Sequence, residues 1–176
     1  MGKKTVTSVN KSKEKRQARK LEQRRIADGM GFVTKANKLE DLAGLCKELL
    51  VYKSNELDVE MYIQKVMDLD KNTLQWAIDL TERNMKSLYE TCAWGWNRDR
   101  KVEEMTDDAA WYLIAKDKDN LLAFSHFRFD MDFGVPVLYW KTMEKTGEFS
   151  QKLPLSDNLF RPPPYTVSAK VTKELI

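Results

Sequence analysis

The sequence predicts an α/β (α+β) fold: a mixed, mostly antiparallel sheet with flanking helices. Three observations predict it. Leu57 to Val66 alternates apolar and polar residues in two-residue steps, which marks a strand with one buried face. Leu74, Ile78, Thr81, Met85 and Leu88 recur at intervals of four and three, which marks one face of a helix. Three apolar segments between Ala110 and Trp140 are separated by polar turns, which marks an antiparallel meander.

Each element follows in order. Residues 1–28 form a basic arm that reads as a solvated helix, with almost no apolar stripe. Gly29 and Gly31 are expected to separate the arm from the body. Ala36, Leu39, Ala43, Cys46 and Leu50 recur at helical spacing, so a helix is expected over 35–50 with Cys46 in the core. The strand at Leu57–Val66 comes next. Asp70 and Asn72 are candidate N-caps for the helix that follows.

Cys92-Ala-Trp94-Gly-Trp96 breaks that helix. The two tryptophans are either a plug on the helix end or the wall of a cleft. Arg98 to Asp108 is charged and reads as a short exposed helix. Ala110–Ala115 and Leu121–Phe129 read as the two strands of a hairpin about the turn 116–120. His126 lies in the second strand, and a structural or surface role is expected rather than a catalytic one. Asp130-Met-Asp132-Phe-Gly134 reads as the next turn, and Val135 to Trp140 as the last strand. From Thr142 to Ile176 the periodicity decays, and Arg161-Pro-Pro-Pro164 suits an extended tail.

Composition excludes several function classes. The chain has 176 residues, 42% hydrophobic and 32% charged, which fits one domain plus tails. No apolar run approaches the ~20 residues that cross a bilayer. Two cysteines and one histidine argue against a disulfide scaffold, a zinc site and a Ser-His-Asp triad. A reducing compartment is expected, nucleus or cytoplasm. Gly2 would admit myristoylation, but Val6 stands where that motif takes Ser or Thr.

Charge is unevenly spread. Residues 1–25 hold ten Lys/Arg against two Glu, a net +8. Residues 26–140 hold 14 basic against 21 acidic side chains, a net −7. An acidic body steers cationic ligands. A basic arm suits nucleic acid, an acidic membrane or an import receptor, and a ribosome or nucleic acid is an expected partner of residues 3–25.

From Leu57 to Tyr139 the chain resembles the N-terminal half of a GNAT-fold acetyltransferase. More narrowly, it resembles the NatD-type N-alpha-acetyltransferases that modify histone amino termini. The resemblance rests on Trp76-Ala-Ile-Asp-Leu80, Asn84-Met85, Leu88-Tyr-Glu90, Trp94-Gly-Trp96 and Glu103-Glu-Met-Thr-Asp-Asp108. It continues in Ala110-Trp-Tyr-Leu-Ile-Ala115, Ala123-Phe-Ser-His-Phe-Arg-Phe-Asp130 and Val137-Leu-Tyr139. On this resemblance, 29–140 is a partial GNAT domain and 141–176 a divergent, disordered tail.

The resemblance implies acetyl transfer from acetyl-CoA to the serine amine of histones H4 and 2A, which begin Ser-Gly-Arg-Gly. It implies that Tyr89 and Trp94 wall the peptide cleft, and that Tyr139 lines it near the reacting amine. It assigns Asp130, Met131 and Asp132 to peptide binding, one carboxylate pairing with the peptide's arginine. The family usually has Glu at the place of Asp132. Its catalytic Tyr-Glu pair falls on Lys141 and Thr142 here, and Glu144 lies two positions later.

The CoA signature, Arg/Gln-x-x-Gly-x-Gly/Ala between a strand and a helix, has no counterpart. The only Gly-x-Gly is Gly29-Met-Gly31, and Gly147 has no glycine partner and no expected helix after it. The expectation is a truncated form with little or no activity and an acetyl-CoA site absent, its sheet ending on a bare fourth strand. The other expectation is a non-catalytic module that binds histone tails.

Overall fold

A computed structural model describes residues 6–45, 47, 50–54, 57–152 and 168–170. Six strands form one sheet in sequence order, and every neighbouring pair is antiparallel. They are β1 (Val51–Ser54), β2 (Leu57–Lys65), β3 (Trp111–Asp117), β4 (Asn120–Asp132), β5 (Val135–Lys145) and β6 (Ser168–Lys170). The helices are α1 (Val6–Asn37), α2 (Lys71–Glu90), α3 (Arg98–Met105) and α4 (Gly147–Lys152). This is a mixed α+β arrangement with helices on both faces of the sheet.

Alternation along the strands divides the core. Tyr112, Ile114 and Phe124 pack with Ala77, Ile78 and Leu80 of α2 and with Met105 of α3. Trp111, Phe127 and Phe129 point the other way, onto Ala36 of α1. Farther along that second face Phe149 of α4 packs on Val59, Ala115 and Ala123. Each fully buried Leu, Ile or Phe contributes about 1.5–3 kcal/mol.

The start of α2 follows its local chemistry. The Asp70 carboxylate accepts from the N–H groups of Asn72 and Thr73 at 3.0 and 2.9 Å. These bonds satisfy orphan amides of the first turn. Hydrogen bonding to Thr73 holds the Asp70 carboxyl below its ordinary value. On the predicted stripe Ile78 and Thr81 are buried, while Leu88 at its end is exposed.

Several expectations are corrected. Gly29 and Gly31 do not break the chain, because α1 runs unbroken through both. Gly29 lies so close to the sheet that an added Cβ would meet Met131 Cε at 2.9 Å and Pro136 Cδ at 3.3 Å. The helix expected over 35–50 is instead the end of α1 and a 3-10 turn at Ala43–Leu45. Asp41 caps that turn by accepting from the Gly44 N–H at 2.8 Å. Cys46 lies outside the described residues.

The turn expected over Asp130–Gly134 is shorter. Asp130, Met131 and Asp132 belong to β4, and Phe133 and Gly134 alone turn the chain, both at positive φ. The last long strand reaches Lys145 rather than Trp140. A helix does follow Gly147: Phe149 anchors α4, and its N–H bonds Thr146 Oγ1 at 3.3 Å. The sheet does not end on a bare fourth strand. Val137, Leu138 and Tyr139 of β5 pair with β6. The Arg161–Pro164 run lies outside the described residues.

Candidate functional site

A β-bulge sets the site. On β4, His126 pairs with Thr142, but the next residue, Phe127, pairs with Trp140. Lys141 is therefore the extra residue on β5. A bulge re-aims side chains and is common beside binding sites. Past it, Trp140 packs on Phe127 on the α1 side of the sheet. Thr142 and Glu144 stand opposite His126 and Phe124 on the α2 side.

Above the bulge lies an open cleft of about 710 Å³. Tyr89 comes from the last turn of α2, and Trp94, Gly95, Trp96 and Asn97 from the loop after it. Arg100, Lys101 and Glu104 come from α3, and Lys141 from the bulge. Trp96 sits edge-to-face on Tyr89, ring centroids 5.9 Å apart. Trp94 is 86% exposed. The tryptophan loop has both characters: Trp96 packs on the end of α2 while Trp94 stands in solvent, and both line the cleft. Gly95 permits this with a φ of 62°, a conformation that favours glycine.

Two cations of the cleft rest on aromatic rings. Lys101 Nζ lies 5.8 Å from the Tyr89 centroid and 3.2 Å from Glu104. Lys141 Nζ lies 4.7 Å from the Tyr139 centroid. Both distances suit cation–π attraction. With one carboxylate against three cations, the cleft is net positive.

His126 lies beneath it. The side chain is 1% exposed and stacks on Tyr112 with centroids 5.2 Å apart. Neither ring nitrogen has a hydrogen-bond partner among the described residues. Burial, together with Lys101, Lys141 and Arg128 and against the pull of Glu104, lowers its pKa to about 4. The imidazole is neutral at physiological pH. Tyr112 donates to the Met105 carbonyl at 2.8 Å, and burial pushes its phenol up.

The sequence-predicted residues fall into two groups. Tyr89 and Trp94 line the cleft, whereas Tyr139 does not line it and only carries Lys141, which does, on its ring. Asp130 and Asp132 alternate with Arg128 along β4, on the side that carries His126. Asp130 accepts from Arg128 Nη2 at 2.6 Å and from the Met131 N–H at 2.7 Å. Met131 points to the other face, against Gly29.

Glu144 accepts from Asn84 Nδ2 at 2.8 Å, and burial raises its carboxyl above the ordinary value. It is held by α2 rather than presented to the cleft. Sequence reasoning missed Lys101, Glu104 and Lys141 as cleft residues. The i, i+3 pair of Lys101 and Glu104 was a readable signal; the bulge at Lys141 gave none.

The helix that follows β5 does not fit a CoA pyrophosphate. Its first turn carries Glu148, which repels a phosphate, and its Phe149 amide already donates to Thr146. Among the described residues no group of His, Cys, Asp or Glu is placed to hold a metal ion. No helix among them is long and apolar enough to cross a membrane. No family model matches the chain.

Proposed function

We propose that this chain is the peptide-binding part of an N-alpha-acetyltransferase of the histone-modifying type. On its own it binds the amino-terminal tail of histone H4 or 2A, in nucleus and cytoplasm, with little or no acetyl transfer. The observation that carries this reading is the convergence of Tyr89, Trp94, Trp96 and Lys141 on one open cleft, with Lys141 resting on the Tyr139 ring.

Spacing along the sheet supports it. Tyr139 pairs with Arg128, and Asp130 is the next β4 residue on that side. Two strand residues span about 7 Å. The same step separates Ser from Arg in an extended Ser-Gly-Arg. A serine amine beside Tyr139 therefore puts the arginine near Asp130 and Asp132. The cations of the cleft favour a neutral amine over an ammonium there, which is the form that attacks an acyl group.

Calorimetric titration with a Ser-Gly-Arg-Gly peptide tests the reading. Saturable binding that is lost when the peptide's own amine is acetylated is the expected result. Equal binding of both peptides, or of neither, overturns it. Turnover of acetyl-CoA by the purified chain would remove the claim of little activity and leave the peptide claim standing.

A further inference from the structure

We propose that the free length of α1 is a docking element for duplex DNA, seated in the major groove. It is independent of the cleft. Every residue from Lys11 to Asp28 is exposed. Contact with the body begins near Arg25 and Ile26, which approach Gly134 at the hairpin tip. Residues 11–24 therefore stand clear of the body, a rod of about 21 Å at 1.5 Å per residue. They carry seven Lys/Arg against Glu14 and Glu22.

The basic residues form two rows. Lys11, Lys15 and Arg19 follow one another at four-residue steps. Lys13, Arg16, Lys20 and Arg24 form a second row, roughly 145° around the helix at 3.6 residues per turn. Ser12 and Gln23 lie between the rows, and Glu14, Ala18 and Leu21 lie at the back. Glu22, on the side of the first row, pairs with Arg25 just beyond this length, and among the described residues none of the seven cations of 11–24 is in an ion pair. Two cationic flanks with a small polar face between them match a groove whose two rims are phosphates.

The partner's class follows from what the rod carries. An α-helix fits the major groove of B-DNA, about 12 Å wide, whereas A-form RNA has a deep, narrow one. Residues 6–31 contain no aromatic side chain, so there is no platform for stacking single-stranded bases. Ala18 and Leu21 are the only apolar residues between 11 and 24, too few for the apolar face of a membrane-surface helix. The body, net −7 over 26–140, repels phosphates. The helix is the part of the chain that can approach DNA.

Fluorescence anisotropy of the full chain with a short labelled B-DNA duplex tests the proposal. Affinity is expected to fall at least a hundredfold between about 50 and 200 mM salt, as counterion release at four or more phosphates requires. Glutamine at Lys11, Lys15 and Arg19 should cost about tenfold or more, as should glutamine at Lys13, Arg16, Lys20 and Arg24. Glu14→Gln on the back should cost nothing. Circular dichroism checks that helix content is kept; glutamine is a comparable helix former. Absence of saturable binding at about 50 mM salt overturns the proposal. So does binding that survives loss of either row, or equal affinity for duplex RNA, single strands or phosphatidylserine vesicles.

Discussion

Arg128 joins two carboxylates distant in sequence: its Nη1 donates to Asp107 at 3.2 Å and its Nη2 to Asp130 at 2.6 Å. On the peptide reading, this guanidinium holds the place that the peptide's arginine would take. The pair is about one-third exposed on both sides, so solvent screens it to about 1 kcal/mol or less. Arg128 Nε is buried without a partner among the described residues, which offsets part of that. Arg128→Gln should therefore cost about 1 kcal/mol or less in urea unfolding. It should tighten a Ser-Gly-Arg-Gly peptide about three- to tenfold by freeing a charge-assisted acceptor. A weaker peptide would mean that Arg128 scaffolds the site rather than competes for it.

Trp94 and Trp96 separate binding from stability. Trp94 is in solvent, whereas Trp96 packs on Tyr89. Trp94→Ala should change stability by no more than about 0.5 kcal/mol. Trp96→Ala should cost about 1–2 kcal/mol, the loss of packed aromatic area plus an edge-to-face pair. If Trp94 walls the peptide cleft, its removal should still weaken the peptide about tenfold, as loss of an aromatic anchor does. Unchanged titration isotherms would take Trp94 out of the site.

His126 makes folding sensitive to acid. Its ordinary value is 6.5, and in the folded chain it is lowered to about 4. A base depressed by folding contributes stability above its unfolded value, and that stability fades as pH falls through the folded value. Between pH 6.5 and 4 the loss should approach about 3 kcal/mol, since each unit is worth about 1.4 kcal/mol. Glu144 acts in the opposite sense, because burial raises its carboxyl and protonation there favours the folded form. Urea unfolding of His126→Phe, which keeps a ring on Tyr112, should be flatter over this range by that amount. An unaltered slope would place the proton uptake elsewhere.

Much of the sheet was legible because β2 alternates apolar and polar residues while β3 and β4 are apolar runs bounded by polar turns. The Asp70 cap and the face of α2 were legible for the same reason: local chemistry and period agree. The far half of β5 was not. One extra residue at Lys141 shifts the two-residue period, so Met143 and Glu144 no longer continue the pattern set by Val137 and Tyr139. The turn at 130–134 was overread because Asp130 and Asp132 are turn-forming types. Yet the alternation Phe127, Phe129, Met131 against Arg128, Asp130, Asp132 already carried the strand to its end. In the cleft, Tyr89 and Trp94 came from resemblance, while Lys101 and Lys141 arrive from separate elements and share no sequence signal.

The same tension between local and tertiary signals yields a test on α1. Gly31 has nothing within 4 Å of an added Cβ, whereas Gly29 faces Met131 and Pro136. Both lie inside a helix, where Gly is less favourable than Ala by about 1 kcal/mol. Gly31→Ala should therefore stabilise the chain by about 0.5–1 kcal/mol. At Gly29 the Met131 methyl can move aside, but the Pro136 ring at 3.3 Å is rigid. Overpacking there should cancel the gain or reverse it by about 1 kcal/mol. Urea unfolding of the two variants measures the difference. Equal gains at both positions would mean that the helix does not bear closely on the β4–β5 hairpin. The arm would then be tethered to the body instead of packed on it.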